Sequence, residues 1–517
     1  MTHQSTSNFW ERARDDPEAV SLVDENQEIW TAGQLHREAN RVANGLRAFG
    51  VPDGSVVALL MRSTPQLIAC VLGTSQVGMY VVTLNPALAA TELLYILNDS
   101  GANVLIVDET LIAAGTLNEM THRRSWRCIS VGPLFAETCY ASIFGDASSE
   151  VPLQRSGGAI LSYTSGTTGR PKGVLRPVGK VAPESVLEPR VRWYVNAYSI
   201  DPAARGVYLS CCPAFFAGPM HSILYSLHLG HVVVLMARWH PRSALYLIQK
   251  YRVTHTFMVP FHFHTLLRLP DSVRQEYDVT SIQCLVHGGA PCPLEIKRAM
   301  LDWLGECLFE SYGSTEVGNT VASSSDWRRY PGTVGRPTRW HEVKILDDRG
   351  SEVPPGREGR VFLRVSELND FVYKDDPQKT AACRVGDFVT VGDVGYLNAA
   401  GYLFLCDRRE DLILCRGENI YPAEVEGALA SHPNVVDCGC FGIPHEEWGQ
   451  AVGIAVQWDN GSLIEEEVRE SIRDYLRARL SLGKMPTLIQ LVARIPRDLN
   501  GKLRRFELRS VAATTNA

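Results

Sequence analysis

The sequence lacks a long hydrophobic run, a basic excess and any Cys-x-x-Cys pair. The longest apolar stretch, residues 67–84, is interrupted by Ser75 and Gln76, so it indicates a buried helix and strand rather than a membrane span. The formal net charge of -6 argues against a nucleic-acid partner. Scattered cysteines indicate reduced thiols, and the N-terminal residues show no basic segment followed by an apolar one. We therefore expect a cytoplasmic protein with no membrane span.

The segments that are present alternate between strand-like and helix-like patterns. Short apolar runs at residues 55–61, 80–84 and 103–108 predict buried strands, and the residues between them predict helices. This βαβ rhythm favours a parallel sheet covered on both faces. From about residue 340, strands joined by glycine and proline turns predict antiparallel hairpins in a small β-barrel-like region. The expected fold class is α/β, with a large N-terminal domain.

A run of charged residues marks a domain boundary. The stretch "DRRED" at residues 407–411 lies between two apolar strands, and a helix, two strands and a charged helix follow it. This order predicts an N-terminal domain over residues 1–408, a hinge near 407–411 and a smaller α+β domain over 411–517.

The stretch "LSYTSGTTGRPKGV", residues 161–174, combines backbone freedom with hydrogen-bond donors. Its glycines allow close approach to a ligand, its hydroxyl groups donate hydrogen bonds, and Lys172 adds a positive charge. The loop suits a polyphosphate, although it lacks the GxxxxGK[ST] pattern of a Walker loop. A mobile hairpin loop is the structural alternative. The predicted phosphate-binding residues are Thr164, Ser165, Gly166, Thr167, Thr168, Gly169 and Lys172.

Four further segments carry polar residues that are candidates for ligand binding or catalysis. They read "SYGSTEVG" at 311–318, "VGDVGY" at 391–396, "DRREDLILCRGENIYPAEVE" at 407–426 and "PRDLNGKLRR" at 496–505. The residues that stand out in them are Tyr312, Thr315, Glu316, Asp393, Arg408, Gly417 and Lys502.

This set of segments, in this order, resembles the adenylate-forming superfamily of acyl-CoA synthetases, adenylation domains and beetle luciferase. The resemblance covers roughly residues 10–510, and "GIPHEEWGQAV" is most similar to bacterial fatty-acid and aryl acyl-CoA synthetases. It implies ATP-dependent activation of a small carboxylic acid to an acyl-adenylate with pyrophosphate release, followed by acyl transfer to the thiol of CoA. ATP, Mg²⁺ and CoA are the implied cofactors and co-substrate.

The resemblance assigns the phosphate chemistry to the glycine-rich loop and to three further residues. The loop 164–172 would bind the β- and γ-phosphates, Thr315 would bind the α-phosphate, and Lys502 would bridge the α-phosphate and the substrate carboxylate. Glu316, with Thr164, would bind Mg²⁺. The structural alternatives are an exposed strand-end carboxylate for Glu316 and a solvated lysine after a turn for Lys502.

The resemblance places the nucleoside on a second group of residues. Tyr312 would stack on adenine, and Asp393 and Arg408 would bond the ribose hydroxyls. The alternatives are a core aromatic, a turn-capping aspartate and a surface arginine. The remaining residues of the implied nucleotide and CoA site are Gly288, Gly289, Ala290, Ser311, Gly313, Arg416 and Gly417.

The implied acyl pocket is rich in aromatic side chains. Aromatic walls suit a ring-bearing or medium-sized acid, although ordinary core packing explains the same residues equally well. The predicted pocket residues are Phe215, Phe216, Gly218, Met220, Phe261 and Phe263.

In this superfamily the smaller domain is mobile and alternates between two poses. The resemblance implies that one pose would present the Lys502 loop for adenylation and the other would present the Arg416–Gly417 loop for thioester formation, with the pivot at Glu410. The sequence shows no Asp-Ser-Leu attachment pattern, so we expect no fused carrier domain, and a separate carrier protein is a further possible partner.

Four residues at three sites depart from the superfamily's usual pattern. Arg176 and Pro177 follow the phosphate loop where relatives have Thr-His, and Phe216 stands where relatives have histidine. Arg416 replaces a glycine beside the implied thiol channel. This departure keeps open an amide ligase that transfers the acyl group to an amine, and a non-catalytic nucleotide-binding homologue is a further alternative.

Overall fold

The chain forms two compact units in the computed structural model. The first comprises Met1–Met258, Asp271–Val286 and Ser366–Cys383, and the second comprises Val259–Pro270, His287–Val365 and Arg384–Ala517. The structure describes residues 8–509 except 114, 117–118, 121–125, 133–137, 165–170, 339–341, 367–368, 409–410, 416–417, 460–463, 499–500 and 506.

The strands of the described chain are short except for two long ones near the C-terminus. In chain order they are β1 (Val20–Val23), β2 (Ile29–Thr31), β3 (Val56–Leu60), β4 (Tyr80–Thr83), β5 (Ala102–Asp108), β6 (Arg127–Val131), β7 (Ala159–Ile160), β8 (Ser162–Thr164), β9 (Lys172–Leu175), β10 (Val207–Ser210), β11 (Val232–Leu235), β12 (His255–Met258), β13 (Cys284–Gly288), β14 (Leu308–Gly313), β15 (Asn319–Ser323), β16 (Thr333–Pro337), β17 (Val343–Leu346), β18 (Gly359–Arg364), β19 (Val372–Tyr373), β20 (Arg384–Val385), β21 (Phe388–Val389), β22 (Asp393–Leu397), β23 (Leu403–Arg408), β24 (Ile413–Cys415), β25 (Glu418–Ile420), β26 (Val435–His445), β27 (Gly449–Trp458) and β28 (Leu488–Leu491).

The helices connect these strands. They are α1 (Phe9–Asp15), α2 (Ala32–Ala48), α3 (Pro65–Ser75), α4 (Ala90–Ser100), α5 (Tyr140–Phe144), α6 (Pro183–Ala197), α7 (Ala217–Leu229), α8 (Pro241–Tyr251), α9 (Pro260–Leu267), α10 (Asp271–Arg274), α11 (Leu294–Leu304), α12 (Ser324–Arg329), α13 (Pro377–Ala382), α14 (Pro422–Leu429) and α15 (Glu465–Arg477). Within the described ranges, none of them has both the length and the apolar character that crossing a membrane requires.

The first unit contains the predicted parallel sheet, in the order β6-β5-β3-β4-β7. Alternate residues of β3 enter two different hydrophobic cores, with Val57 and Leu59 on one face and Ala58 and Leu60 on the other. A strand that is buried on both faces has no exposed side to carry polar residues, so its sequence is a continuous apolar run. The strands β1, β10, β11 and β12 form further parallel pairs in this unit.

The second unit is largely antiparallel, as the hairpin pattern after residue 340 predicts. Strand β18 pairs antiparallel with β17, β21 and β22, and β22 pairs antiparallel with β23. The last part of this unit is a separate sheet in the order β25-β24-β27-β26, with β28 parallel to β27. Its core includes Ile454, Ile472 and Val425, which come from one strand and two helices. The α+β pattern predicted for the C-terminal segment is therefore present, while the boundary at 407–411 stays a prediction.

Candidate functional site

The ends of the glycine-rich loop are held by the hairpin β8–β9 in the first unit. Thr164 pairs with Lys172 across the hairpin, and the Lys172 ammonium lies 5.3 Å from the centre of the Tyr373 ring. The Tyr163 hydroxyl donates a 2.6 Å hydrogen bond to Oδ2 of Asp99. Burial and this carboxylate raise the pKa of Tyr163 far above its usual value, so the hydroxyl keeps its proton and remains a donor. The other predicted loop residues, Ser165, Gly166, Thr167, Thr168 and Gly169, lie outside the described residues.

The segment Gly288–Ala290 begins at the end of β13. A Cβ at Gly288 would lie 2.3 Å from the carbonyl oxygen of Ser311, so only glycine allows this close approach to the neighbouring strand. Gly289 follows with φ +80° and is exposed, and Ala290 is half-buried. The backbone of this segment is therefore presented at the strand end, next to the start of the "SYGSTE" motif.

Tyr312 and Asp393 are brought together in the second unit. The Tyr312 hydroxyl donates a 2.6 Å hydrogen bond to Oδ2 of Asp393, which is 7% exposed at the start of β22. Asp393 pairs with Arg408 in the β22–β23 register, although the Arg408 side chain lies outside the described residues. The two residues predicted for adenine and ribose thus form one hydrogen-bonded unit.

The carboxylate of Glu316 is buried, with 6% of the residue exposed. The Ser314 hydroxyl accepts hydrogen bonds from the backbone N–H groups of Glu316, at 3.2 Å, and Val317, at 3.4 Å. This turn follows Gly313, the last residue of β14, and Thr315 in the turn is half-buried. The short turn fixes where the Glu316 side chain leaves the backbone.

The turn that carries Lys502 is closed by Asp498. The Asp498 N–H donates to the Lys502 carbonyl oxygen at 2.9 Å, and the Lys502 N–H donates to Oδ1 of Asp498 at 2.9 Å. Gly501 has φ +76°, and a Cβ there would lie 2.8 Å from Cβ of Phe261. Val259 lies between this turn and the Gly288–Ala290 segment, since its methyl groups are 3.7 Å from the Cβ position of Gly501 and 3.9 Å from that of Gly289. The lysine turn and the predicted adenine segment therefore share a neighbour.

The predicted acyl-pocket residues belong to both units. Phe215 and Phe216 are half-buried neighbours with ring centres 4.7 Å apart, just before α7. On that helix Gly218 is exposed and Met220 is buried. In the second unit Phe263 is fully buried with its ring 4.9 Å from that of His287, and Phe261 is 41% exposed. The pocket assignment stays a prediction for all six residues.

The sequence did not predict one buried polar cluster, which is formed by His287, Lys297 and Glu310. The Lys297 ammonium contacts Nε2 of His287 and lies 3.5 Å from Oε2 of Glu310, and all three residues are buried. Burial and the nearby Lys297 hold the pKa of His287 well below its usual value, so the imidazole is neutral and Nε2 accepts the hydrogen bond. His287 directly precedes Gly288, and Glu310 directly precedes Ser311. The available signal in the sequence was a titratable residue directly after an apolar run in each of two strands, His287 after residues 284–286 and Glu310 after residues 308–309.

Three further residues of the predicted site belong to the hinge and to the loop proposed for thioester formation. Arg416, Gly417 and the pivot Glu410 lie outside the described residues. Their roles therefore stay as the sequence predicts them.

Comparisons with known proteins cover nearly the whole chain. The family model described as AMP-binding enzyme matches residues 9–368, and the model described as AMP-binding enzyme C-terminal domain matches residues 424–502. The chain is 30% identical to the fatty acid–[acyl-carrier-protein] ligase ScoC of Streptomyces coeruleorubidus, over 98% of this chain and 96% of that protein. It is 31% identical to a feruloyl-CoA synthase of Amycolatopsis sp, over 96% of this chain and 97% of that protein. Among solved structures, the amide bond synthetase McbA from Marinactinospora thermotolerans has a TM-score of 0.82 at 26% identity, covering 98% of this chain and 99% of that chain.

Proposed function

Because this chain belongs to the AMP-binding enzyme family, we propose that it activates a small carboxylic acid with ATP and transfers the acyl group to the thiol of CoA. The family membership agrees with the resemblance that the motifs carry. The feruloyl-CoA synthase among its relatives supports CoA as the acceptor and an aryl acid as the substrate class, and the fatty acid–[acyl-carrier-protein] ligase supports a fatty acid.

The observation that carries the proposal is the position of Val259 between two predicted site segments. Its side chain lies against both Gly289, in the segment predicted to bind adenine, and Gly501, next to Lys502. A lysine brought to a nucleotide-binding segment can neutralise charge that develops on a phosphate. This arrangement supports a catalytic site more than a binding site that has lost its chemistry.

The described residues fit a nucleotide and a magnesium ion by the chemistry of their donors. Tyr312 offers an aromatic face, Asp393 offers a carboxylate for ribose hydroxyls, and Gly288 allows close backbone approach. Glu316 offers carboxylate oxygen, which is the ligand type that Mg²⁺ prefers. When bound, Mg²⁺ supplies charge neutralisation of the ATP phosphates.

The chemistry proceeds in two steps. A carboxylate oxygen of the acid attacks the α-phosphorus of ATP, and the bond from that phosphorus to the β-phosphate oxygen breaks with release of pyrophosphate. In the proposed assignment Lys502 and Thr315 bind the α-phosphate during this step. The thiol of CoA then attacks the acyl carbonyl carbon, loses its proton and displaces AMP, which leaves a thioester.

An amine is the second acceptor to consider. The structural similarity to an amide bond synthetase supports it, as does Arg416, which stands where many acyl-CoA synthetases carry glycine. In that reaction the amine nitrogen attacks the same carbonyl carbon, loses a proton and displaces AMP. The two proposals differ only in the nucleophile.

One experiment tests both steps. The purified protein is given ATP, Mg²⁺ and a panel of acids that includes ferulate, benzoate and octanoate, and pyrophosphate release is measured. The productive acid is then offered CoA and an amine at equal concentration, and the products are identified by mass spectrometry.

We expect pyrophosphate release with at least one acid and acyl-CoA as the main product. Formation of amide without any acyl-CoA would identify the amine, rather than CoA, as the acceptor. No pyrophosphate with any acid, in a protein that still binds ATP, would favour the non-catalytic homologue.

A further inference from the structure

The helix α9 contacts the C-terminal part of the second unit at its first turn. Phe261 lies against Gly501, where a Cβ would be only 2.8 Å from Cβ of the phenylalanine. Gly501 is the residue directly before Lys502. The position of the lysine turn is therefore limited by the phenylalanine side chain.

The same helix makes a second contact at its other end. Arg268, the C-terminal cap of α9, donates a 3.1 Å hydrogen bond from Nη1 to the carbonyl oxygen of Val435. Its Nη2 forms an ion pair with Asp459. Val435 begins β26 and pairs with Trp458, and Asp459 directly follows β27, so one guanidinium contacts both strands at the open end of this hairpin.

The two contacts lie on one face of α9. Phe261, His264 and Arg268 are spaced three and four residues apart, which places them on the same side of an α-helix. His264 lies between the other two and has Arg268, Asp437 and Arg497 as electrostatic neighbours. The whole face therefore points toward the C-terminal segment.

A continuous set of bonds joins Arg268 to the lysine turn. Asp437, two residues after Val435 in β26, pairs with Arg497 through two 2.7 Å contacts. The Arg497 guanidinium donates from Nη1 to the carbonyl oxygen of Gly501 at 2.9 Å. Strand β26 thus links the Arg268 contact to the turn that carries Lys502.

We propose that Arg268 is a positioning residue for adenylation, which holds the Lys502 turn against Phe261 through its bond to Val435. The inference rests on the proposed function, because Lys502 is the group that it positions. The carbonyl of Val435 belongs to a buried residue, while 60% of the Asp459 side chain is exposed to solvent that screens the ion pair. The bond to Val435 is therefore the stronger half of the contact.

Loss of the Arg268 side chain releases the lysine turn without removing any group that touches ATP or the acid. We expect the pyrophosphate-forming step to fall about tenfold in Arg268→Ala, the effect of losing one charged hydrogen bond. Asp459→Asn should cost less, because it leaves the bond to Val435 in place. The transfer step, which does not use Lys502 in the proposed scheme, should be unchanged.

The test uses the full-length protein and measures the two half-reactions separately. Pyrophosphate release is measured with the productive acid, and transfer is measured from the matching synthetic acyl-AMP with CoA. Backbone hydrogen exchange of residues 497–503 is followed in the same variants. The control is Arg298→Ala, which removes an exposed arginine that pairs with Glu295 in the same unit.

The expected result is slower adenylation, unchanged transfer and faster exchange at residues 497–503 in Arg268→Ala, with none of these changes in Arg298→Ala. Arg268→Lys should restore part of the adenylation rate. Equal losses in both half-reactions would indicate a general structural role and overturn the inference. An Arg268→Ala protein with unchanged adenylation would overturn it as well.

The exchange measurement separates this inference from the proposed function. If the parent protein forms no pyrophosphate but Arg268→Ala still shows faster exchange at the lysine turn, the proposed activity is refuted while the contact between Arg268 and the turn is supported. Normal pyrophosphate formation with unchanged exchange would refute the positioning role and retain the activity.

Discussion

The Tyr312 hydroxyl donates a 2.6 Å hydrogen bond to Oδ2 of Asp393, a residue 81 positions later in the chain. The bond orients the carboxylate that we propose for the ribose, and it fixes the ring that we propose for adenine. Charged hydrogen bonds of this kind contribute about 1.5–3 kcal/mol.

We expect Tyr312→Phe to raise the Kd for ATP about tenfold, because the aromatic face remains while the orientation of Asp393 is lost. Calorimetric titration with ATP measures the change. Tyr402→Phe is the matched control, since Tyr402 donates a similar bond to Asp326 elsewhere in the second unit. Equal weakening in both variants would assign the effect to stability.

Lys502→Ala should abolish acyl-adenylate formation and spare thioester formation from supplied acyl-AMP. A donor that points at charge developing in the transition state lowers the activation free energy by about 3–4 kcal/mol, so its loss should slow adenylation at least a hundredfold. Pyrophosphate release and transfer are measured separately, with Lys484→Ala as a control lysine that pairs with Glu424. Parent-level pyrophosphate release would show that Lys502 has another role.

Glu316→Gln should raise the Mg²⁺ concentration required for turnover far more than it lowers Tm. The amide keeps the shape of the side chain but loses the charge that we propose for metal binding. Mg²⁺ titrations of pyrophosphate release and thermal melts are compared in the two proteins. An unchanged titration with a collapsed Tm would identify Glu316 as structural.

Lys297→Met should destabilise the fold by about 3–5 kcal/mol, because it leaves Glu310 as an uncompensated buried carboxylate. The double variant Lys297→Met/Glu310→Gln should recover much of that loss. Urea unfolding of the parent, the two single variants and the double variant gives the coupling free energy between Lys297 and Glu310. Additive losses would show that the two side chains do not depend on each other.

The unfolding free energy should decrease as the pH falls below 6.5, partly because of His228. Burial lowers the pKa of His228 to about 3, while the unfolded chain keeps the usual value of 6.5. Between these values the unfolded state binds the proton and the folded state does not, so acid favours unfolding. Above pH 6.5 both states are neutral, and the contribution to stability is fully present.

His228→Asn tests this dependence. The asparagine oxygen can accept the hydrogen bond that the Phe9 N–H donates to Nδ1 of His228 at 3.0 Å, but the side chain does not titrate. Urea unfolding between pH 6.5 and 4 should show a slope smaller by up to about 1.4 kcal/mol per pH unit. An unchanged slope would mean that His228 is protonated equally in both states.

The sequence alone was enough for the fold class and the family. The apolar run at 55–61 predicted the strand observed as Val56–Leu60, because a strand buried on both faces has an uninterrupted local pattern. The superfamily resemblance is likewise confirmed, since its motifs are short stretches whose residues are adjacent in the chain. The site assignments from these motifs remain predictions.

Tertiary structure alone decided which distant residues meet. The resemblance assigned Tyr312 and Asp393 to one nucleoside without predicting the bond between them, and the sequence left Lys297, Glu310 and Arg268 without any role. Phe261 stays a predicted acyl-pocket residue, and its contact with Gly501 was not foreseen from the sequence. Periodicity and local motifs depend on neighbours in the chain, whereas the hydrogen bond between Arg268 and Val435 depends on packing between residues 167 positions apart.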